Sequence, residues 1–241
     1  MILTGRPRPK LVKPHVYARL NNFGEQVLIV GGHMSAENET ALVIAVPTKP
    51  DGRAVFVDVS SYGALFADID QCWEPSFVIS ANPRLPAQIE GSLLSAGVKS
   101  AAAVHLRDPA ELQRLHEHLR PPAAYVEAHA GFTFVAFKLK KGDHAIKPLA
   151  VIFETRDPTR AFFPMVQVVG DEVPERATLD HTLYLQAWTG KKLQGWFDAD
   201  SLPHEHVDVA RTQRLLIGDL RVHRSELRGE RKNEDIWVRV T

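Results

Sequence analysis

Cysteine is almost absent, with Cys72 the single example in 241 residues. One thiol closes no intramolecular disulfide and brings no second sulfur to a metal, which excludes disulfide scaffolds and cysteine-based zinc folds. Its neighbours Ile69 and Trp73 mark Cys72 as a small residue packed under a core rather than a nucleophile. An excess of either charge is missing too. Lys+Arg 29 balances Asp+Glu 29, so the chain has no global attraction for nucleic acid or an anionic membrane. No apolar run approaches the roughly 20 residues of a membrane-spanning helix, and Met1–Lys13 lacks the apolar segment of a secretory leader. The expected location is cytoplasmic. Also missing are G-x-S-x-G, the phosphate-cradling G-K-[ST] loop and the G-x-G-x-x-G turn, so the sequence names no cofactor and no common hydrolase, NTPase or dehydrogenase.

What is present is an ordinary globular composition, 44% hydrophobic and 24% charged, in a chain long enough for two lobes or one large domain. Three apolar runs stand close together at Phe132–Leu139, Pro148–Phe153 and Phe162–Val169. Each is rich in β-branched or aromatic residues and is followed by turn formers, which reads as a three-stranded meander. In the first run both faces are apolar up to Lys138, as in a strand covered on both sides.

An earlier set, Val27–Val30, Ala41–Val46 and Ala54–Val59, matches it. Leu42 aligns with Leu149, Thr48 with Thr155, Arg53 with Arg160, Ala54 with Ala161, Phe56 with Phe163 and Val59 with Val166, all 107 residues apart. These are six identities in the eighteen positions 42–59, where roughly one or two arise by chance. The reading is an internal duplication, and the expected fold class is α+β and β-rich, with two similar β-meander lobes and a few covering helices. The expected domains are an extended N-terminal arm over 1–14, a first lobe over 15–120 and a second over 121–241.

Between the runs, spacing predicts helices within Ser60–Trp73, Ala87–Ala96, Pro109–Leu119 and His204–Leu216. Short strands are expected at Phe77–Ile79 and Ile236–Val240. Asp180–Gln186 fits either a strand or a helix. Gly31–Thr40 reads as a hairpin loop.

The chemistry resides in eleven histidines. Asp180-His181 is a candidate catalytic pair, because a carboxylate can orient an imidazole base, and Tyr184 shares the face of His181 if the segment is helical. Two residues apart on a helix point away from each other, which removes His116 and His118 as a joint site. His204 and His206, with Asp208 or Asp200, are the candidate metal ligands if their segment is extended. The basic stretch Arg211–Lys232 reads as a solvated charged face, since no aromatic platforms accompany it; nucleic acid is not expected as a partner. The function expected is a non-catalytic ligand-binding or assembly module, taking a small molecule or a protein partner. The competing reading is a hydrolase or metal-dependent enzyme built on these histidines.

Overall fold

The computed structural model describes residues 1–5, 7–73, 92–94, 104–106, 120–187 and 193–240. Before residue 120 these contain β1 (Ile2–Thr4), β2 (Lys10–Leu20), β3 (Glu25–Ala36), β4 (Thr40–Val46), β5 (Ala54–Asp58), α1 (Leu65–Asp70) and β6 (Val104–Leu106). After it come α2 (Ala123–Ala128), β7 (Thr133–Leu139), β8 (Gly142–Glu154), β9 (Arg160–Phe163) and β10 (Arg176–Gln186). β11 (Phe197–Asp198), β12 (Val222–Lys232) and β13 (Ile236–Arg239) complete the strands among the described residues. The chain is a β-rich α+β protein. No described helix is long and apolar enough to cross a membrane. The segments expected at Phe77–Ile79, Ala87–Ala96 and Pro109–Leu119 lie wholly or largely outside the described residues.

Two sheets carry the structure, one ordered β1-β4-β7-β6 and the other β11-β12-β10-β2-β3-β8-β5, while β9 and β13 form a separate ribbon. Their facing sides share one core. Leu42, Ile44, Val135 and Phe137 of the smaller sheet pack with Val16, Leu28, Val151, Phe153 and Leu183 of the larger. The outer side of the smaller sheet is covered by Tyr125 of α2, against Val43, Ala45 and Phe134. That of the larger is covered by Leu65, Phe66 and Ile69 of α1 together with Val207, Leu215 and Leu216. Covering both sides explains why the strands are apolar on both faces: alternate residues are buried in different cores.

The neighbours within each sheet are not those of a meander. β3 and β4 follow one another in the chain but pair with β8 and β7 respectively, through Val30↔Leu149 and Leu42↔Phe137. A cut at residue 120 therefore passes through both sheets, since β7 and β8 pair with strands that precede it. The first residues of the expected arm are likewise built in: Ile2, Leu3 and Thr4 are buried and pair with Val43, Leu42 and Ala41.

Two further expectations need correction. Gly31 and Gly32 lie inside β3, where the register with β8 shifts, so they mark a bulge in a strand and not a loop. His204–Leu216 is a short 3-10 turn over Pro203–Glu205 followed by turns; Gln213 and Arg214, at φ 53° and 63°, cannot continue a right-handed helix. Within the basic stretch Arg211–Lys232, Val222–Lys232 forms β12, paired with β10 along its whole length, and its residues from Arg228 to Lys232 are exposed, in keeping with a solvated charged face. Three of its cations are matched at close range, Arg224 by Asp70, Arg228 by Asp180 and Glu226, and Lys232 by Glu234. By contrast Ser60–Trp73 does contain α1, and Ile236–Val240 contains β13, as expected.

Candidate functional site

Because Asp180–Gln186 is part of a strand, successive side chains turn to opposite faces. Leu179, Leu183 and Leu185 enter the core between the sheets, and His181 shares their face; Tyr184 enters the core under α1. His181 and Tyr184 thus stand on opposite sides of β10 and form no pair. Nor does the Asp180 carboxylate reach the imidazole. It bonds Arg228 Nε at 3.2 Å, and only the Asp180 amide meets His181 Nδ1, at 3.3 Å. The other candidate ligands also have separate partners. His206 Nε2 lies 2.9 Å from Ser201 Oγ, and His204 Nδ1 lies 3.2 Å from both the Gly218 carbonyl and Asp219 Oδ1. Asp208 accepts the Arg211 amide at 3.2 Å, and the Asp200 amide donates to the Cys72 carbonyl at 2.8 Å. Among the described residues no three His, Cys, Asp or Glu side chains are grouped to share an ion. Cys72 is fully buried, and burial pushes its thiol up to about 12.

His181 does contribute to a site, though not the one expected of it. It lines a cleft of about 690 Å³ bounded by Met1–Gly5, by Arg8 to Pro14, by Arg120–Ala123 at the entry to α2, and by Gln167 to Asp171. Local sequence explains each wall. β1 is held by its pairing to β4, and the Met1 amino group donates to the Pro164 and Val166 carbonyls at 3.4 and 3.3 Å. Pro121 and Pro122 keep the chain extended until Ala123 begins α2. The Gln167–Asp171 wall is pinned by Asn233, whose Oδ1 accepts the Gln167 amide at 2.8 Å and whose Nδ2 donates to the Gln167 carbonyl at 2.9 Å. Arg8 fastens the same wall through the Val168 carbonyl at 3.2 Å and Asp171 at 3.1 Å.

The electrostatics of the cleft are muted. Burial, with the charges of the Met1 amino group and Arg228, lowers His181 to about 3, so it is neutral at pH 7. Burial also lowers the Met1 amine to about 5, against a raising influence from Asp235. Arg8 and Asp171 are paired with each other, and Arg120 and Gln167 also line the cleft; beside them runs a row of backbone. β1 ends the smaller sheet, so among the described residues no strand pairs with its second side, and all of Met1–Gly5 borders the cleft. Pro9, Pro14, Pro121 and Pro122 in the other walls bring no N–H of their own. Sequence reading missed this site because it treated residues 1–14 as an arm. Alternation over Ile2–Thr4 is too short to announce a strand.

No protein-family model matches the sequence, and no curated protein matches it. Among solved structures, the chain is similar to baculovirus P35, at 8% identity and TM-score 0.44 over 100% of this chain and 99% of that one. A mutated baculovirus P35 after caspase cleavage gives 7% identity and TM-score 0.45 over 95% of this chain and 100% of that one. The caspase-8/P35 complex gives 8% and 0.42 over 95% and 96%. At these values the likeness assigns no chemistry to the chain.

Proposed function

We propose that the protein is a non-catalytic binding module that takes up an extended segment of a protein partner along the outer edge of β1. The observation that carries this reading is the coincidence of edge and cleft: Met1–Gly5 all line the cavity, while the other side of β1 is paired with β4. An edge strand presents backbone donors and acceptors that pair with any extended chain, and pockets beside it choose among side chains. Here the pockets are apolar toward Leu3, Leu11 and Val168, with Arg8 and Asp171 at the rim. A partner strand seated there would extend the four-stranded sheet by one.

Panning the full-length protein with a random-sequence peptide display library tests the reading. Binders are expected to shift the NMR signals of Ile2–Thr4 and Gln167–Asp171 and to emerge chemically unchanged. N-methylation of alternate peptide amides should abolish binding, because it removes ladder donors and leaves the side chains in place. Binders that map to another surface, or that tolerate N-methylation at every position, would remove the proposal.

A further inference from the structure

On the opposite side of the larger sheet, under α1, a second group of polar side chains is connected in one direction. Asp70 Oδ1 accepts from Arg224 Nη1 at 3.1 Å and from the Tyr184 hydroxyl at 2.9 Å. The Tyr184 oxygen in turn lies 3.0 Å from His15 Nδ1. A carboxylate held by a guanidinium is ionised and only accepts, so the single phenolic hydrogen is committed to Asp70. The hydrogen between Tyr184 and His15 must then come from the imidazole. His15 is fixed as the Nδ1–H tautomer, with its lone pair on Nε2, and Nε2 has no hydrogen-bond partner among the described residues.

The surroundings hold that ring in place. β2 shifts register between Val12 and His15, with Lys13 at φ 45°, and β3 shifts between Val30 and Gly32; His15 and Gly31 are paired where the two irregularities meet. A side chain at Gly31 would sit 2.7 Å from the Phe66 ring, so glycine there lets Phe66 come down against the sheet. Phe66 then stacks on His15 at 5.1 Å, Tyr184 stacks on it at 5.9 Å, and the Phe66 and Tyr184 rings lie 5.7 Å apart, so the three rings form one packed cluster. Bulges that aim one side chain, aromatic walls that fix its plane and a second residue that sets its tautomer are the means by which a basic nitrogen is presented. Burial and the charge of Arg228 lower the proton affinity of His15 by more than Asp70 raises it, which keeps the ring neutral at pH 7.

We propose that His15 Nε2 is a proton-accepting site, oriented by Tyr184 and Asp70, for a ligand that presents an O–H or N–H donor. It is distinct from the β1 cleft and rests on none of the residues of that reading. Sequence reading did not find it because its members lie at positions 15, 70, 184 and 224, and Tyr184 was matched with the wrong histidine.

The test uses diethyl pyrocarbonate on the full-length protein, with modification read at each histidine by mass spectrometry. The Nε2 lone pair attacks a carbonyl carbon, the anhydride C–O bond breaks, and the departing ethyl carbonate carries off the Nδ1 proton and decomposes to carbon dioxide and ethanol. His15 is expected to react within a few-fold of free N-acetylhistidine, while buried His129 stays unmodified and reports an intact fold. Tyr184→Phe and Asp70→Asn should each slow His15 several-fold. ¹⁵N NMR of the unaltered protein should show the Nδ1–H tautomer. An unreactive His15 in the native protein, an Nε2–H tautomer, or a rate indifferent to both substitutions in folded protein would each overturn the proposal. The tautomer decides the matter even where a variant fails to fold.

Discussion

Thr48 and Thr155 pair with each other in an isolated antiparallel bridge, and they are the same position in the two aligned runs. The hydrogen bonds beside them are reciprocal. The Lys49 amide donates to the Glu154 carbonyl at 2.9 Å, and the Arg156 amide donates to the Pro47 carbonyl at 2.9 Å, so exchanging the two turns carries one bond onto the other. The exchange also carries the β3–β8 pair onto β7–β4. It stops at the third strand of each run, since β5 joins β8 whereas β9 joins β13. Duplication is thus a proposal about two interlocked hairpin-like units meeting at these threonines, not about two lobes facing across a groove.

The same relation predicts equal costs at Gly24 and Gly131, which occupy equivalent places before β3 and β7 at φ 74° and 75°. An added Cβ meets nothing within 4 Å at Gly131 and only ordinary contacts, from 3.5 Å outward, at Gly24. Alanine at either position therefore incurs the left-handed backbone penalty alone, about 1–2 kcal/mol. Urea unfolding of Gly24→Ala and Gly131→Ala should show matching losses of midpoint with unchanged slopes. Losses differing by more than a factor of two would mean that the two turns are held differently.

At Gly31 the cost has another origin. The Phe66 ring atoms would lie 2.7 and 3.0 Å from a new Cβ, so the ring must leave its place beside His15. Gly31→Ala is expected to destabilise the protein by about 1–3 kcal/mol, the range for overpacking a filled core. In an NMR spectrum the ring-current shift on His15 should fall with it. An unchanged His15 shift would show that the ring yields without moving away.

His129 and Asp235 join parts of the chain that have no sequence signal in common. The imidazole is 1% exposed; Nε2 lies 2.9 Å from Asp235 Oδ2, and Nδ1 lies 2.7 Å from the Tyr125 carbonyl. Asp235 Oδ1 also accepts the Met165 and Val166 amides at 2.7 and 3.1 Å. Burial pushes this carboxyl up, but His129, the Met1 amino group and the Val166 amide outweigh it and hold it below its usual range. Asp235→Asn should cost about 3 kcal/mol or more in thermal unfolding, because both acceptor roles of one oxygen pair cannot survive in an amide. A loss within about 0.5 kcal/mol, the size of an ordinary surface change, would show the contacts to be dispensable.

How much of this was readable follows from what periodicity measures. Alternation in Phe132–Leu139 or Ala41–Val46 reports which residues face a core, and both runs are strands. It does not report the neighbour across the ladder, and here those neighbours come from the other half of the chain, as Leu42↔Phe137 does. Tyr184 was visible as a site residue, but three residues from His181 is the same face only on a helix. Gln213 and Arg214 adopt positive φ with no glycine to mark them, so the helical spacing of Val207, Ala210 and Leu215 misled. The signals that pointed toward His15 were Pro14 before it and the Gly31–Gly32 pair opposite, both breakers inside a strand pattern.

His181 makes the stability of the protein depend on acidity. In the fold this residue is 4% exposed, and its ring is lowered to about 3 by burial, then by the Met1 amino group and Arg228, against an ordinary value of 6.5. The folded state therefore wants it neutral, while the unfolded chain takes up its proton below 6.5. Its contribution is complete above 6.5, is lost as pH falls, and stops changing below about 3. Over the steep part of that window one proton is bound only by the unfolded state, which corresponds to about 1.4 kcal/mol per pH unit. The Met1 amine adds a loss of the same sign at higher pH, between its ordinary 8.0 and about 5. Replacing His181 by Gln should therefore flatten the dependence of unfolding free energy on pH between about 6 and 4 by close to one proton and leave the slope near pH 7.5 unchanged. An unaltered slope between pH 6 and 4 would mean that the cleft already admits enough water to let His181 titrate as it does in the unfolded chain.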